Sequence, residues 1–598
     1  MTMANRPSDP LLQGRRALEH LPFCEMLTDW AWFPAVNKWG LLCRIKVEPH
    51  GSVPESTTCY VLVEGCYPWG SIKFYPAKDG GLQCTFLHQL HNGPGDPRLP
   101  WREGEICAQT SLRSFGRRMY DAEPLTASER LAWRVSRVRD WIAAASQDQL
   151  AEPGDPFELP NFPGASASFE IAFCEDATSF AFWEGTSHNT GIVDFAHPAN
   201  NSAVFAVIAF KDAKGNPIRS TQYGDAVSAK ASRTGLWLRV PRVPCISPWQ
   251  APATYRELTQ VLSALGTDLD HVFSKLAKSI RDGTSHPLLI GFPIPSKVGS
   301  PNERYHWQGL LLPVLSHGNP RGFRPIEKDY ALLDKDQVLT HATRLRWVAS
   351  RNWEPCEITA RGRLSEVLIS KKIVIIGVGA FGSMISELLA REGCRSLVLV
   401  DGERLQIGNM SRHTLQLSDV CKKKAWSVAS RLRNVNPHVS ITAIDSSFPP
   451  PDGAHHATIT DSDVVVDCTA DDTVLHQMSV FDWQTDKQFF SVSVGMHARR
   501  LFLFSARGRA FPHSTFIDQM RPLIETEMRE YAGTTLPREG IGCWHPVFPA
   551  RSDDLWAMAS VAVKQLEESA FAAAETPVLH VYEQIYDGTR FQGIRRVS

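Results

Sequence analysis

From residue 370 onward, short apolar runs alternate with segments whose apolar positions recur at helical spacing, the pattern of parallel strands joined by crossover helices. Strands are predicted over 373–376, 396–400, 464–467 and 489–494, with helices over 381–391 and 424–434. The opening region has another texture. A helix-like stretch at 17–30 leads into strand-like segments at 39–47, 58–64 and 71–75, and a second helical pattern over 128–145 closes it. A loop rich in Pro, Gly and Asp, 152–163, then marks a domain boundary. The middle of the chain offers β-like runs at 203–210, 235–240 and 288–294 around an amphipathic helix over 255–280, and it carries no catalytic signature. The pattern predicts three domains: α+β over 1–150, a β-rich linker, scaffold or docking domain over 151–330, and α/β over 331–598.

Composition narrows the class without changing that outline. Over 598 residues, 43% are hydrophobic, 21% are charged and the formal net charge is -1, the balance of a multi-domain globular protein and not of a polycation. Residues 1–10 hold no signal-like apolar core and no apolar run is long enough to span a bilayer, so neither a membrane nor direct nucleic-acid binding is expected, and the cytoplasm is the expected address. Thirteen cysteines, an odd number without a C-x-x-C pair, point to free thiols in a reducing compartment and away from structural zinc.

The chemistry gathers after the first strand of the C-terminal region. Gly377-Val378-Gly379-Ala380-Phe381-Gly382 follows an apolar strand and opens a helix, which places a tight turn and a helix N-terminus where a phosphate can approach. Asp401 ends the next strand, where a carboxylate can accept ribose hydroxyls. On these residues alone a nicotinamide site, a flavin site and a simple tight turn all remain open. Further along come Gly408-Asn409-Met410-Ser411-Arg412-His413, then Lys422-Lys423-Lys424-Ala425, Asn434-Val435-Asn436-Pro437 and Asp467-Cys468-Thr469-Ala470-Asp471. This order resembles the ThiF/MoeB/ubiquitin-activating superfamily of Rossmann-like adenylating domains. The resemblance implies ATP and Mg²⁺, with Asp401 on the ribose, Asn409 and Arg412 on the phosphates, Lys424 on the triphosphate and Asp471 on the magnesium. The family's Arg-Gln step is Arg412-His413 here, and Ala470 stands where its magnesium carboxylate usually sits, leaving Asp471 or Asp472 for that role.

Two cysteines stand out against this background. Cys543 lies in Gly540-Ile541-Gly542-Cys543-Trp544-His545-Pro546, a turn-rich stretch where a thiol has access to an acyl group. The N-terminal order Tyr67-Pro68-Trp69-Gly70, Ile72 to Pro76, Phe86-Leu87-His88-Gln89 and Glu103-Gly104-Glu105-Ile106-Cys107 resembles the ubiquitin-conjugating fold, which makes Cys107 a second candidate nucleophile. That family's His-Pro-Asn turn is not intact, since Gln89 follows His88 and no proline separates His91 from Asn92. A conjugating-like domain ahead of an activating-like one resembles the fused enzymes of bacterial antiphage CBASS operons. The resemblance implies a homodimer that activates the C-terminus of a cGAS-like nucleotidyltransferase, carries it on Cys543 and Cys107, and ligates it to an amine on a target. Two other classes remain: a sulfur-carrier-type adenylyltransferase without a conjugating step, and a NAD-dependent Rossmann enzyme or nucleotide-binding scaffold.

Overall fold

A computed structural model describes residues 6–48, 53–108, 123–199, 201–318, 326–539, 545–546, 548–571 and 576–597. The chain divides into two compact units, one holding Met1–Phe195, Ala203–Thr221 and Ala231–Asn352, the other Ala196–Ser202, Gln222–Lys230 and Trp353–Ser598.

The first unit begins with helix α1 (Asp9–Leu18), earlier than the helix expected at 17–30. Pro10 fits the first helical turn, where no N–H is missed, and Leu11, Gly14 and Leu18 fall on one buried face. The chain then turns into β1 (Cys24–Met26) and β2 (Ala31–Phe33), which both pair with β3 (Lys38–Lys46). β4 (Ser56–Val63) and β5 (Ile72–Pro76) extend this antiparallel sheet. Helix α2 (Ala127–Ser146) starts on Thr126, whose side chain accepts from Glu129 N–H, and lays Leu131, Val135, Val138 and Ile142 into the same core as Leu41, Val61 and Phe74.

The middle sheet contains eight strands in the order β6 (Ser166–Phe173), β13 (Trp347–Asn352), β12 (Arg304–Leu311), β11 (Pro287–Ile294), β10 (Arg233–Arg239), β7 (Thr190–Ala196), β8 (Val204–Lys211) and β9 (Pro217–Ser220). β6 also pairs with β8, which closes the sheet on itself around Trp183, Trp237 and Trp307. The indoles of Trp183 and Trp307 both donate to the buried Glu175 carboxylate, which also faces Arg219. The single helix expected over 255–280 is two helices, α4 (Tyr255–Ala264) and α5 (Leu269–Leu276), numbered after α3 (Ala177–Gly185). Gly266 takes φ +83° between them and Asp268 caps the second by accepting from His271 N–H. Because β13 pairs with β12 and β6, the chain leaves this sheet at Asn352, past the boundary expected at 330/331.

The second unit is an α/β/α sandwich. Its sheet runs β16 (Ser440–Ile444), β15 (Ser396–Val400), β14 (Lys372–Ile376), β17 (Val464–Asp467), β18 (Lys487–Val494), β19 (Arg500–Gly508), β22 (Val578–Asp587) and β23 (Arg590–Arg596), the first five parallel and the rest antiparallel. β20 (Arg538–Glu539) and β21 (His545–Pro546) form a separate short pair. Helices α6 (Ala380–Arg391), α7 (Lys424–Arg433) and, later in the chain, α11 (Ser552–Phe571) pack one face. Helices α8 (Gly453–Thr460), α9 (Asp472–Val480) and α10 (His513–Glu530) pack the other. Among the described residues no helix is long and apolar enough to cross a membrane.

Candidate active sites

β14 enters at the centre of its sheet, the chain builds outward through β15, and it later returns to the other side as β17. This reversal of strand order opens a crevice beyond the carboxyl ends of the strands, the usual place for a ligand in such a sheet. The ends are level, since Ile376 lies opposite both Val400 and Asp467. Gly377, Asp401 and Cys468 to Asp471 therefore leave the sheet side by side.

The three glycines of the turn do different work. Gly377 sits at φ +81°, and a Cβ there would meet Thr469 Cγ2 at 2.7 Å. Gly382 faces the Gly377 carbonyl so closely that a Cβ would lie 2.0 Å from its oxygen. Gly379 is the N-cap of α6, offers no side-chain cap, and has nothing within 4 Å of where a Cβ would be. Open space in front of an uncapped helix N-terminus suits a phosphate.

Asp401 fastens this turn from the side. One of its carboxylate oxygens accepts from Val378 N–H at 2.9 Å and the other from Glu403 N–H at 2.8 Å. Burial raises its pKa, with those two bonds and Lys424 pulling the other way. Each oxygen keeps a lone pair, so the expected acceptance of ribose hydroxyls is chemically open. His413 grips the other side of the same residue, its Nε2 lying 2.9 Å from the Val378 carbonyl while Leu415 N–H donates to Nδ1 at 3.2 Å. An acceptor at Nδ1 fixes the neutral ring with its proton on Nε2. Burial holds the His413 pKa down at about 4, consistent with that form.

The remaining nucleotide candidates surround this core. Lys424, almost buried, is paired at 2.5 Å with the exposed carboxylate of Glu403. Arg412 donates to the Phe548 carbonyl at 2.5 Å, and Asn409 accepts from Gln406 N–H at 3.0 Å. Asp471 caps α9 by accepting from Thr473 N–H at 2.7 Å and is exposed, as is Asp472. Among the described residues no cluster of three or more metal-ligating side chains exists. A lone exposed carboxylate fits a magnesium ion that takes most of its ligands from phosphates and water. Asp467, not singled out from the sequence, is fully buried beneath the turn, accepts from Thr469 and Ser491, and has its pKa pushed up to about 6, mainly by burial. Its signal was present as a carboxylate ending an otherwise apolar strand.

At the other candidate centre, Cys107 is exposed and its N–H donates to the His88 carbonyl at 3.0 Å. His88 adopts a left-handed φ of +58°, an arrangement that persists only when its surroundings enforce it. Those surroundings are Glu158, paired with Nδ1, and the Leu150 carbonyl, 3.2 Å from Nε2. The two amides near the altered His-Pro-Asn turn are occupied. Gln89 bridges Phe86 N–H and the Gly104 carbonyl, while Asn92 donates to the carbonyls of Leu82 and Cys84. A cleft of about 780 Å³ opens beside Cys107, walled by α2 through Trp141 and Ala144 and by Asn161, Gln308 and Ser350 of the middle sheet and its approach. Cys543 lies outside the described residues.

A protein from Enterobacter hormaechei subsp. hoffmannii (strain UCI 50), the ATP-dependent ubiquitin transferase-like protein Cap2, is 33% identical over 578 residues, spanning 94% of this chain and 95% of its own length. The chain belongs to the Cap2 family. The model of the Cap2 central linker domain matches residues 148–353, and that of the ThiF family matches 352–513. A Cap2 protein of Pseudomonas aeruginosa (strain BWHPSA011 / Pa011) is 29% identical over 116 residues, 19% of this chain and 20% of its own. The molybdopterin-synthase adenylyltransferase of Escherichia coli (strain K12) is 31% identical over 115 residues, 19% of this chain and 45% of its own. This Cap2 family member is thus an enzyme of ubiquitin-activating and ubiquitin-conjugating type, built on a ThiF domain.

Proposed function

We propose that the enzyme activates the C-terminal carboxylate of a cGAS-like nucleotidyltransferase with ATP, carries it as a thioester on Cys543 and then Cys107, and ligates it to a target amine in antiphage defence. The carboxylate attacks the α-phosphorus of ATP and expels pyrophosphate, giving an acyl-adenylate. The Cys543 thiolate displaces AMP, the Cys107 thiolate displaces Cys543, and an amine displaces Cys107 to leave an amide. Gly379 and the α6 N-terminus would face the phosphates, Asn409, Arg412 and Lys424 would balance their charge, Asp401 would receive the ribose, and Asp471 would hold Mg²⁺. Bound magnesium would neutralise charge on the triphosphate as pyrophosphate leaves. A cytoplasmic homodimer is the expected form.

The observation that carries the conjugating half is an exposed Cys107 lining a cleft that residues of the linker domain also line. A nucleophile that passes an acyl group onward needs access and a place for the attached chain. The test is to incubate the enzyme with ATP, Mg²⁺ and a cGAS-like nucleotidyltransferase and run non-reducing gels for wild type, Cys543→Ala and Cys107→Ala. The relay gives a thiol-labile adduct on Cys107 that disappears in Cys543→Ala. Adenylation with no adduct on Cys107 would instead mean a sulfur-carrier-type adenylyltransferase. Charging of Cys107 in Cys543→Ala would overturn the order of transfer.

A further inference from the structure

We infer that His413 is a positioning residue for adenylation: by donating from Nε2 to the Val378 carbonyl it holds the nucleotide turn in the shape that receives the triphosphate. The inference rests on the ATP reading of that turn and goes one residue deeper into it. Val378 stands between two glycines, Gly377 at φ +81° and Gly379 with no neighbour at its Cβ position, so apart from the close packing of Gly382 on the Gly377 carbonyl its own chain segment does little to restrain the peptide planes beside it. Two groups from outside supply the restraint. Asp401 accepts from Val378 N–H at 2.9 Å, and His413 reaches Val378 O at 2.9 Å. The peptide unit that follows the Val378 carbonyl contains Gly379 N–H, so fixing that oxygen fixes the direction in which the helix N-terminus presents its donors.

The ring is itself held at both ends. It is buried, Leu415 N–H occupies Nδ1 at 3.2 Å, and the bond to Val378 uses the only remaining ring nitrogen. Lys424 from α7 and Asp419 from the preceding turn are the charged groups that act on it. Lys424 disfavours a second proton on the ring and Asp419 favours one. A neutral histidine is therefore acting as a donor and an acceptor a fixed distance apart, a pairing that a glutamine amide also supplies. The position is the one where the adenylating superfamily carries glutamine, and the histidine keeps the same hydrogen-bonding capacity.

Two variants separate this role from packing. His413→Gln keeps a donor and an acceptor, His413→Phe keeps the ring's bulk without either, and wild type is the reference. Affinity for ATP in the presence of Mg²⁺ is measured by calorimetry on the full chain, alongside each variant's melting temperature. The expected result is that His413→Gln stays within about 3-fold of wild type, while His413→Phe binds ATP at least 10-fold more weakly, including at temperatures where it is fully folded. Equal ATP affinity in His413→Phe and wild type would overturn the inference, as would His413→Gln as weak as His413→Phe. If wild type itself fails to bind ATP, the nucleotide reading of the whole turn fails first, and that outcome is distinct from either of the others.

Discussion

Gly379→Ala and Gly382→Ala alter the same turn by the same methyl group and are expected to fail in opposite ways. At Gly382 the added Cβ would lie 2.0 Å from the Gly377 carbonyl oxygen. An ordinary carbon–oxygen contact is more than an ångström longer, and both partners are backbone, so the turn and the start of α6 must move apart. Overpacking of this kind costs roughly 1–3 kcal/mol or more. For a unit of this size that corresponds to a melting temperature lower by about 3–10 °C. At Gly379 the added Cβ meets nothing within 4 Å and φ stays in the ordinary range at -65°. Only the weaker N-cap preference of alanine opposes it, on the order of 0.5–1 kcal/mol. The methyl does project into the space assigned to the phosphates, and losing close approach there should weaken ATP binding at least about 10-fold, or ~1.4 kcal/mol. Thermal melting without nucleotide and calorimetric titration with ATP and Mg²⁺ read the two effects separately. If Gly379→Ala melts as low as Gly382→Ala, or binds ATP like wild type, the division of labour among the glycines is wrong.

Asp467 ionises in the fold only at about pH 6, because burial disfavours its charge. Since this folded value is raised, its contribution to stability is present below the ordinary carboxylate range and is lost as pH rises through about 6, on the order of 3 kcal/mol in all. Chemical denaturation from pH 4 to 8 should show that loss in wild type and not in Asp467→Asn. Arg431 and Arg391 both hold the buried carboxylate of Glu387. Arg431→Met leaves half of that pairing and should reduce stability to urea by about 1–3 kcal/mol, whereas an unchanged midpoint would mean that Arg391 suffices. Cys107→Ser replaces the proposed thioester with an oxyester, so an adduct stable to thiol but cleaved by alkali should accumulate on gels. A thiol-labile adduct in that variant would place the acyl group elsewhere.

The C-terminal sheet was legible because its central strands are covered by helices on both sides and so read as continuous apolar runs. The same logic explains where the reading slipped. Leu18 and Leu21 lie near a strand-like Cys24–Met26, and helical spacing alone does not show that α1 ends at Leu18 before the chain turns to pair with β3. Gly266 and Asp268 signal a stop and a start, yet the apolar face of 255–280 continues in phase across them and hides the break. At the proposed nucleotide site the motif named Gly377, Gly379 and Gly382 as one class, although each meets a different constraint. Those constraints come from Thr469, from open space and from Gly377 itself, and only the first of the three partners lies far away in sequence. His413 and Asp467 carry the same lesson, because His413 bonds the Val378 carbonyl of the glycine turn and Asp467 accepts from Ser491 of the neighbouring strand. Around Cys107 the gap is wider: the conjugating-like motif marks the thiol, but Asn161, Gln308 and Ser350 join it in lining one cleft only after the middle sheet has folded. A linear motif can mark a candidate nucleophile, while part of the surface that lines its cleft belongs to another domain.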